Sequence, residues 1–212
     1  MGEQVIFATG NEGKMKEIRM ILAGVDVEIL SLKDAGISTD VEENGTTFAE
    51  NALIKARDCA RRTGMMVLAD DSGLEIDCLD KEPGIHSARY LGENTAYETK
   101  NRILLSRLKD VPDEQRTARF VCVIAAVFPD GREFLAEGVM EGRIAHEAKG
   151  ENGFGYDPIF YVPQYGLTGG ELDAEQKNSI SHRGKALNRM KDRLLSEGIW
   201  RLRSEKAAGE NT

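Results

Sequence analysis

The stretch Met65-Met-Val-Leu-Ala-Asp-Asp-Ser-Gly-Leu74 runs from five apolar residues straight into two carboxylates and a Ser-Gly pair. An apolar run of that length, bounded by a turn signal, reads as a buried strand. Asp70 and Asp71 are therefore expected where a strand opens into a loop, with a second strand over residues 74–78 beyond it. In open α/β sheets that is where ligands bind. Carboxylates beside a buried strand are costly unless they hold a metal, accept hydrogen bonds or do chemistry. Adjacent strand side chains diverge, so only one of the two acids is expected to face a given site.

Upstream, residues 4–8 read as another short strand, which enters the loop Thr9-Gly-Asn-Glu-Gly-Lys14. A helix follows, with Met15, Ile18, Ile21 and Leu22 at helical spacing. Such a turn offers backbone N–H groups and a helix dipole to an anion. Lys14 adds a charge, Asn11 an amide and Thr9 a hydroxyl. The spacing Gly10-x-x-Gly13-Lys14-Met15 is not Walker A, and alone it reads equally as an ordinary βα turn. Residues 25–30 suggest a second strand. Glu42 and Glu43, before a turn at Gly45, could join Asp70 and Asp71 around a hard cation such as Mg²⁺, which takes a few carboxylate oxygens plus water and phosphate. Thr47-x-x-Glu50 marks a capping box. The helix after it carries Phe48, Ala52, Leu53, Ala56, Cys59 and Ala60 on one face, with Lys55 about 20° outside Phe48, at the margin.

Downstream, residues 97–108 are helical in pattern. Residues 118–128, the turn Pro129-Asp-Gly131 and residues 133–139 form a long hairpin. In Glu151-Asn-Gly-Phe-Gly-Tyr-Asp-Pro-Ile-Phe160, glycines on both sides of Phe154 let the backbone approach a flat ligand, and Phe154 or Tyr156 offers a stacking face. A structural turn that packs aromatics into the core is an equal alternative. Asp173-x-x-Gln176 caps a short helix. Lys177, His182 and Arg183 then cluster ahead of an amphipathic helix over 184–197, a grouping that suits anion or base recognition.

The 212 residues, 41% hydrophobic and 30% charged, describe a globular chain with room for a sizeable core. No apolar run approaches the ~20 residues of a membrane span, and the start lacks the pattern of a signal peptide. A net charge of −8 argues against a nucleic-acid polymer as partner. Cys59, Cys78 and Cys122 lack zinc or disulfide spacing and read as three buried thiols in a reducing cytoplasm. The βα units and the long hairpin imply an α/β fold: an elongated, two-lobed mixed sheet with flanking helices and a central cleft. Residues 1–200 form one such domain on this reading, and 201–212 a polar, frayed tail.

Four motifs in order resemble the noncanonical purine nucleoside triphosphate pyrophosphatases, also called inosine triphosphate pyrophosphatases. They are Thr9-Gly-Asn-Glu-Gly-Lys14, Ala69-Asp-Asp-Ser-Gly-Leu74, Gly153-Phe-Gly-Tyr-Asp-Pro158 and Ser181-His-Arg-Gly184. Gly84-Ile-His-Ser-Ala-Arg-Tyr90 and Thr47-Phe-Ala-Glu-Asn-Ala52 are similar to segments of that family, although His86 stands where many relatives have Tyr. The resemblance implies a homodimer that uses Mg²⁺ to cleave ITP, dITP and XTP to the monophosphate and pyrophosphate, clearing deaminated purines from the nucleotide pool. It further implies that Glu43 and Asp71 bind the metal and that Asp71 is the general base. Residues 9–14 (Thr9, Gly10, Asn11, Glu12, Gly13, Lys14), Lys55, Ser72 and Lys177 would hold the phosphates and sugar. Phe154, Gly155, Tyr156, Asp157, His182 and Arg183 would hold the base. Two other readings use the same pocket: a nucleotide sensor without catalysis, and a pyrophosphatase for modified pyrimidine or methylated nucleotides.

Overall fold

The computed structural model describes residues 3–38 and 41–203. The first half alternates strand and helix: β1 (Glu3–Phe7), α1 (Glu12–Ile21), β2 (Val27–Ser31), α2 (Phe48–Thr63) and β3 (Val67–Ile76). Then come α3 (Tyr97–Arg107), β4 (Thr117–Val127), β5 (Glu133–Ile144), the short strands β6 (Phe160–Val162) and β7 (Leu167–Thr168), α4 (Ala174–Ile180) and α5 (His182–Ser196). One mixed sheet takes all seven strands in the order β2-β1-β3-β4-β5-β6-β7. β1 runs parallel to β2 and β3; the remaining pairs are antiparallel. The α/β mixed sheet expected from the sequence is therefore present.

Helices cover both faces because the strands are apolar on both. Met15 and Ile18 of α1, with Leu187 and Met190 of α5, pack on Phe7, Leu68, Cys122 and Ile124. On the opposite face, Ala52, Ala56 and Cys59 of α2 meet Ile6, Val67, Ala69 and Ala125. Farther along β3 and β4 a third cluster forms from Leu74, Ile76, Leu104, Phe120, Met140, Tyr156 and Phe160.

The loop expected at Asp70 and Asp71 is not there. β3 continues through both acids, Ser72 and Gly73, because β4 pairs with it residue for residue from Val67↔Val127 to Ile76↔Ala118. Gly73 marks a close approach rather than a turn: a Cβ there would lie 2.2 Å from the carbonyl oxygen of Gly84 and 2.6 Å from Ser87 Oγ. β1, by contrast, pairs with β3 only at Ile6↔Val67 and Phe7↔Leu68. Beyond Leu68 the flank of β3 opens, and the cleft forms there. The acids thus lie beside a gap in the sheet, not at a strand end.

Smaller differences have local causes. Thr47 caps α2 through the backbone N–H of Glu50, but the Glu50 carboxylate accepts from Thr46 instead of closing a reciprocal box. The box at Asp173 and Gln176 is complete. Cys59 and Cys122 are buried, whereas Cys78 is exposed at the end of β3. Residues 201–203 are not frayed: Leu202 bridges Val25, and Arg203 N–H donates to the Gly24 carbonyl. The rest of the expected tail, 204–212, lies outside the described residues. Among the described residues no helix is long and apolar enough to cross a membrane.

Candidate active site

A cleft of about 400 Å³ opens between the end of β1 and the segment 84–88. Asn11 caps α1 by accepting from the Lys14 N–H, which fixes the first loop at the cleft's lip. Thr9, Gly10, Asn11 and Lys14 line it, but Glu12 and Gly13 do not. Glu12 is exposed; Gly13 backs the Phe154 ring, where a Cβ would come within 3.3 Å.

Both acids reach the cleft, from opposite faces of β3, because the open flank exposes the strand edge to each side. The expectation that only one would do so is corrected. Asp70 is fully buried, with Lys14 Nζ at 2.8 Å and Arg183 Nη2 at 3.4 Å. Burial alone would favour its neutral form, but Lys14, Arg183 and Lys55 outweigh that and hold the carboxyl far below the usual range. Its Oδ1 has no protein partner. Asp71 accepts from Asn51 Nδ2 at 3.1 Å, and Lys55 Nζ stands 3.5 Å away. Burial, with help from Glu43, raises the Asp71 pKa against the pull of Lys55 and Asn51. The two neighbouring carboxylates are thus pushed in opposite directions.

Glu43, not Glu42, turns into the cleft; its carboxylate lies 3.2 Å from Lys55 Nζ. A lysine ammonium thus already stands between Glu43 and Asp71. The charge and hard oxygen donors of that pair fit a divalent cation such as Mg²⁺. Among the described residues no group of three His, Cys, Asp or Glu gathers, so further ligands would be water or substrate oxygens.

The other end is aromatic. Phe154 is half-buried, its N–H donating to Asp157 Oδ2 at 2.8 Å. Tyr156 is no stacking face: it is buried edge-on to Tyr97 and its hydroxyl donates to the Ser87 carbonyl. Phe154 alone holds that position. His182 stacks on Phe120 with ring centroids 4.8 Å apart. Burial, then Arg183 and Lys177, push its pKa well down, so the ring is neutral, and its Nδ1 is buried without a protein partner. Arg183 and Lys177 are less free than their sequence positions suggest. Arg183 donates to Glu17 at 2.5 Å, to Ser72 at 3.1 Å and to Asp70. Lys177 Nζ is held by Asp157 at 2.7 Å and Glu17 at 3.1 Å, 5.0 Å from the Phe154 ring centre.

Sequence reasoning missed two residues. Glu17 ties together the two buried cations, and Asn51 joins Asp71 to the Glu43 loop by also accepting from Gly45 N–H at 2.9 Å. Both left a trace: Glu17 follows Lys14 by one helical turn, and Asn51 is a polar residue three positions after Phe48, on the buried stripe of α2.

Fold and cleft together define a class: mixed α/β proteins that set carboxylates and lysines at one end of a cleft and an aromatic platform at the other. Within that class the chain belongs to the Ham1 family, whose model matches residues 5–193. It is 52% identical over 186 residues to a dITP/XTP pyrophosphatase of Desulforamulus reducens, covering 88% of this chain and 92% of the relative. It is 49% identical to one of Geobacter sulfurreducens, over 92% and 98% of the two chains. The structure of the Staphylococcus aureus Ham1 protein superposes with a TM-score of 0.83 at 42% identity, over 92% of this chain and all of that one.

Proposed function

We propose that the chain hydrolyses deaminated purine nucleoside triphosphates, dITP, ITP and XTP, to the monophosphate and pyrophosphate with Mg²⁺. One observation carries this reading: a single cleft joins the Lys14, Lys55, Glu43 and Asp71 cluster to the Phe154 and His182 slot. The names of relatives about half identical to the chain support the same substrates.

A triphosphate is a polyanion, so positioning and cations supply most of the catalysis. Lys14, Lys55 and the amides of the first loop bind the phosphate chain. Glu43 and Asp71 would hold Mg²⁺, which supplies charge neutralisation at the phosphates. Asp71 takes a proton from the attacking water. The water oxygen bonds to the α-phosphorus, the α–β bridging bond breaks, and pyrophosphate leaves. Asp70 stays ionised and keeps Lys14 and Arg183 in place. Ser72 lies within reach of substrate beside Arg183.

Phe154 stacks on the purine. His182, Arg183 and Lys177 lie at its edge, where Arg183 and Lys177 each keep an N–H beyond those given to Glu17, Asp157, Asp70 and Ser72. A 6-oxo purine offers an acceptor where adenine offers a donor. Donors at that edge discriminate between them through the cost of an unmatched polar group. The family resemblance supports a homodimer, which sedimentation equilibrium tests, and the buried thiols of Cys59 and Cys122 suit a reducing cytoplasm.

The test is pyrophosphate release from dITP, ITP, XTP, ATP, GTP and dTTP, with and without Mg²⁺. Metal-dependent turnover of the first three is the expected result. Binding of ITP without turnover would leave a nucleotide sensor, and preference for dTTP or other pyrimidines would move the substrate class.

A further inference from the structure

The first turns of α3 lie outside the charged machinery, yet they contact both loops that frame the aromatic end of the cleft. Asn101 is buried and its Nδ2 donates to the carbonyl of Gly155 at 3.1 Å. Gly155 follows Phe154 directly and sits in the left-handed region, φ +69°, with its Cα side facing the Tyr97 ring. One residue earlier on the helix, Lys100 is buried and donates to the carbonyl of Ala88 at 2.6 Å. Tyr97 meets Tyr156 edge-on, and Tyr156 in turn donates to Ser87. Neighbouring positions of one helix therefore grip segment 154–156 and segment 87–88 separately.

The side-chain Oδ1 of Asn101 is buried and has no protein partner. An unpaired buried acceptor is a cost, so what this position uses is the amide donor. Phe154 itself is held at its N–H by Asp157 and, one residue on, at the Gly155 carbonyl by Asn101. Two hydrogen bonds thus pin the peptide unit entering Phe154 and the one leaving Gly155, one from the loop itself and one from α3.

We infer that Asn101 is a positioning residue for the purine platform: through the Gly155 carbonyl it sets the height of the Phe154 ring, so that it governs affinity for the base and not for the phosphate chain. This rests on the nucleotide reading above and adds to it a residue that touches neither substrate nor charge cluster. Lys100 acts in parallel on the facing segment.

The experiment compares wild type, Asn101→Leu, Phe154→Ala and the double variant by calorimetric binding of inosine monophosphate and of inorganic tripolyphosphate, with steady-state kinetics on dITP. Loss of one buried hydrogen bond predicts about tenfold weaker binding of the monophosphate. Tripolyphosphate affinity should stay within about twofold, KM should rise and kcat should hold. In the Phe154→Ala background the leucine should cost almost nothing further, because its effect passes through the ring. Equal weakening of both probes, or additive losses in the double variant, would overturn the inference. Should leucine prevent folding, Asn101→Ser goes through the same cycle with the same outcomes. If wild type itself neither binds the monophosphate nor turns over dITP, the nucleotide reading fails. If wild type does both and the variant matches it, only the role of Asn101 fails.

Discussion

Asp70 and Asp71 are consecutive in one strand, yet their carboxylates stand in two different electrostatic settings. Asp70 is clamped by Lys14 and Arg183 on the α1–α5 side, while Asp71 faces Lys55 and Asn51 on the α2 side. The strand's two-residue period separates them, and the missing β1 neighbour lets both reach the same cleft.

Asp71→Asn should fold normally and lose turnover. Removal of a general base costs about 10²–10⁴ in rate, and here a metal ligand would go with it. Pyrophosphate release under saturating dITP checks this. A variant retaining more than about a tenth of wild-type kcat would remove Asp71 from the base role.

Asp70→Asn should act first on stability. It leaves Lys14 without its carboxylate partner and Arg183 with Glu17 alone, which costs about 3 kcal/mol, measured as a lower urea midpoint. The Asp70 carboxyl is depressed in the fold relative to its ordinary 3.8. Below that pH the unfolded chain binds a proton that the folded one does not, so wild-type stability falls with falling pH. The gap between wild type and variant should hold constant from neutral pH down to about 5 and narrow below 4.

Asn51→Leu deletes the hydrogen bond that stabilises the charged form of Asp71. The Asp71 pKa should rise further, and the acid limb of the kcat/KM profile should move up by about one pH unit. An unmoved limb would show that another group titrates there.

Glu17→Gln keeps the shape of the side chain and removes the charge shared by Lys177 and Arg183. The expected result is a loss of about 3 kcal/mol in unfolding free energy together with a raised KM for dITP. Unchanged stability would mean that Asp157 and Asp70 suffice to hold the two cations.

Gly138→Ala places a Cβ 2.1 Å from the His182 carbonyl and 2.6 Å from Ala186 N, so α5 must move off β5. Overpacking of this kind costs about 1–3 kcal/mol. A lower Tm and a higher KM with little change in kcat are expected, since His182 lies at the base end. A KM equal to wild type would show that the shift is absorbed away from the slot.

Much of this molecule was legible in its residues. The apolar runs at 4–8 and 65–69, the helical spacing of Met15 and Ile18, and the hairpin around Asp130-Gly131 depend on neighbours in the chain, so local pattern is enough to place them. The four ordered motifs carried the family, and with it most of the residues that line the cleft. Ser-Gly after Asp71 misled, because a glycine needed for contact with Gly84 and Ser87 looks the same in sequence as one needed for a turn.

What only the tertiary structure decided is how charges divide. The sequence places Lys14, Lys177 and Arg183 as cations near a ligand, but contacts across 20 to 166 positions make Arg183 and Lys177 partners of Glu17, Asp70 and Asp157. Lys14 and Arg183 then hold Asp70 ionised against its burial, while burial raises Asp71 and leaves His182 neutral. Residue types and periodicity fix which groups are present and which face they take. Their protonation and their free hydrogen bonds depend on desolvation and on charges brought together by the fold, and neither is a property of local sequence.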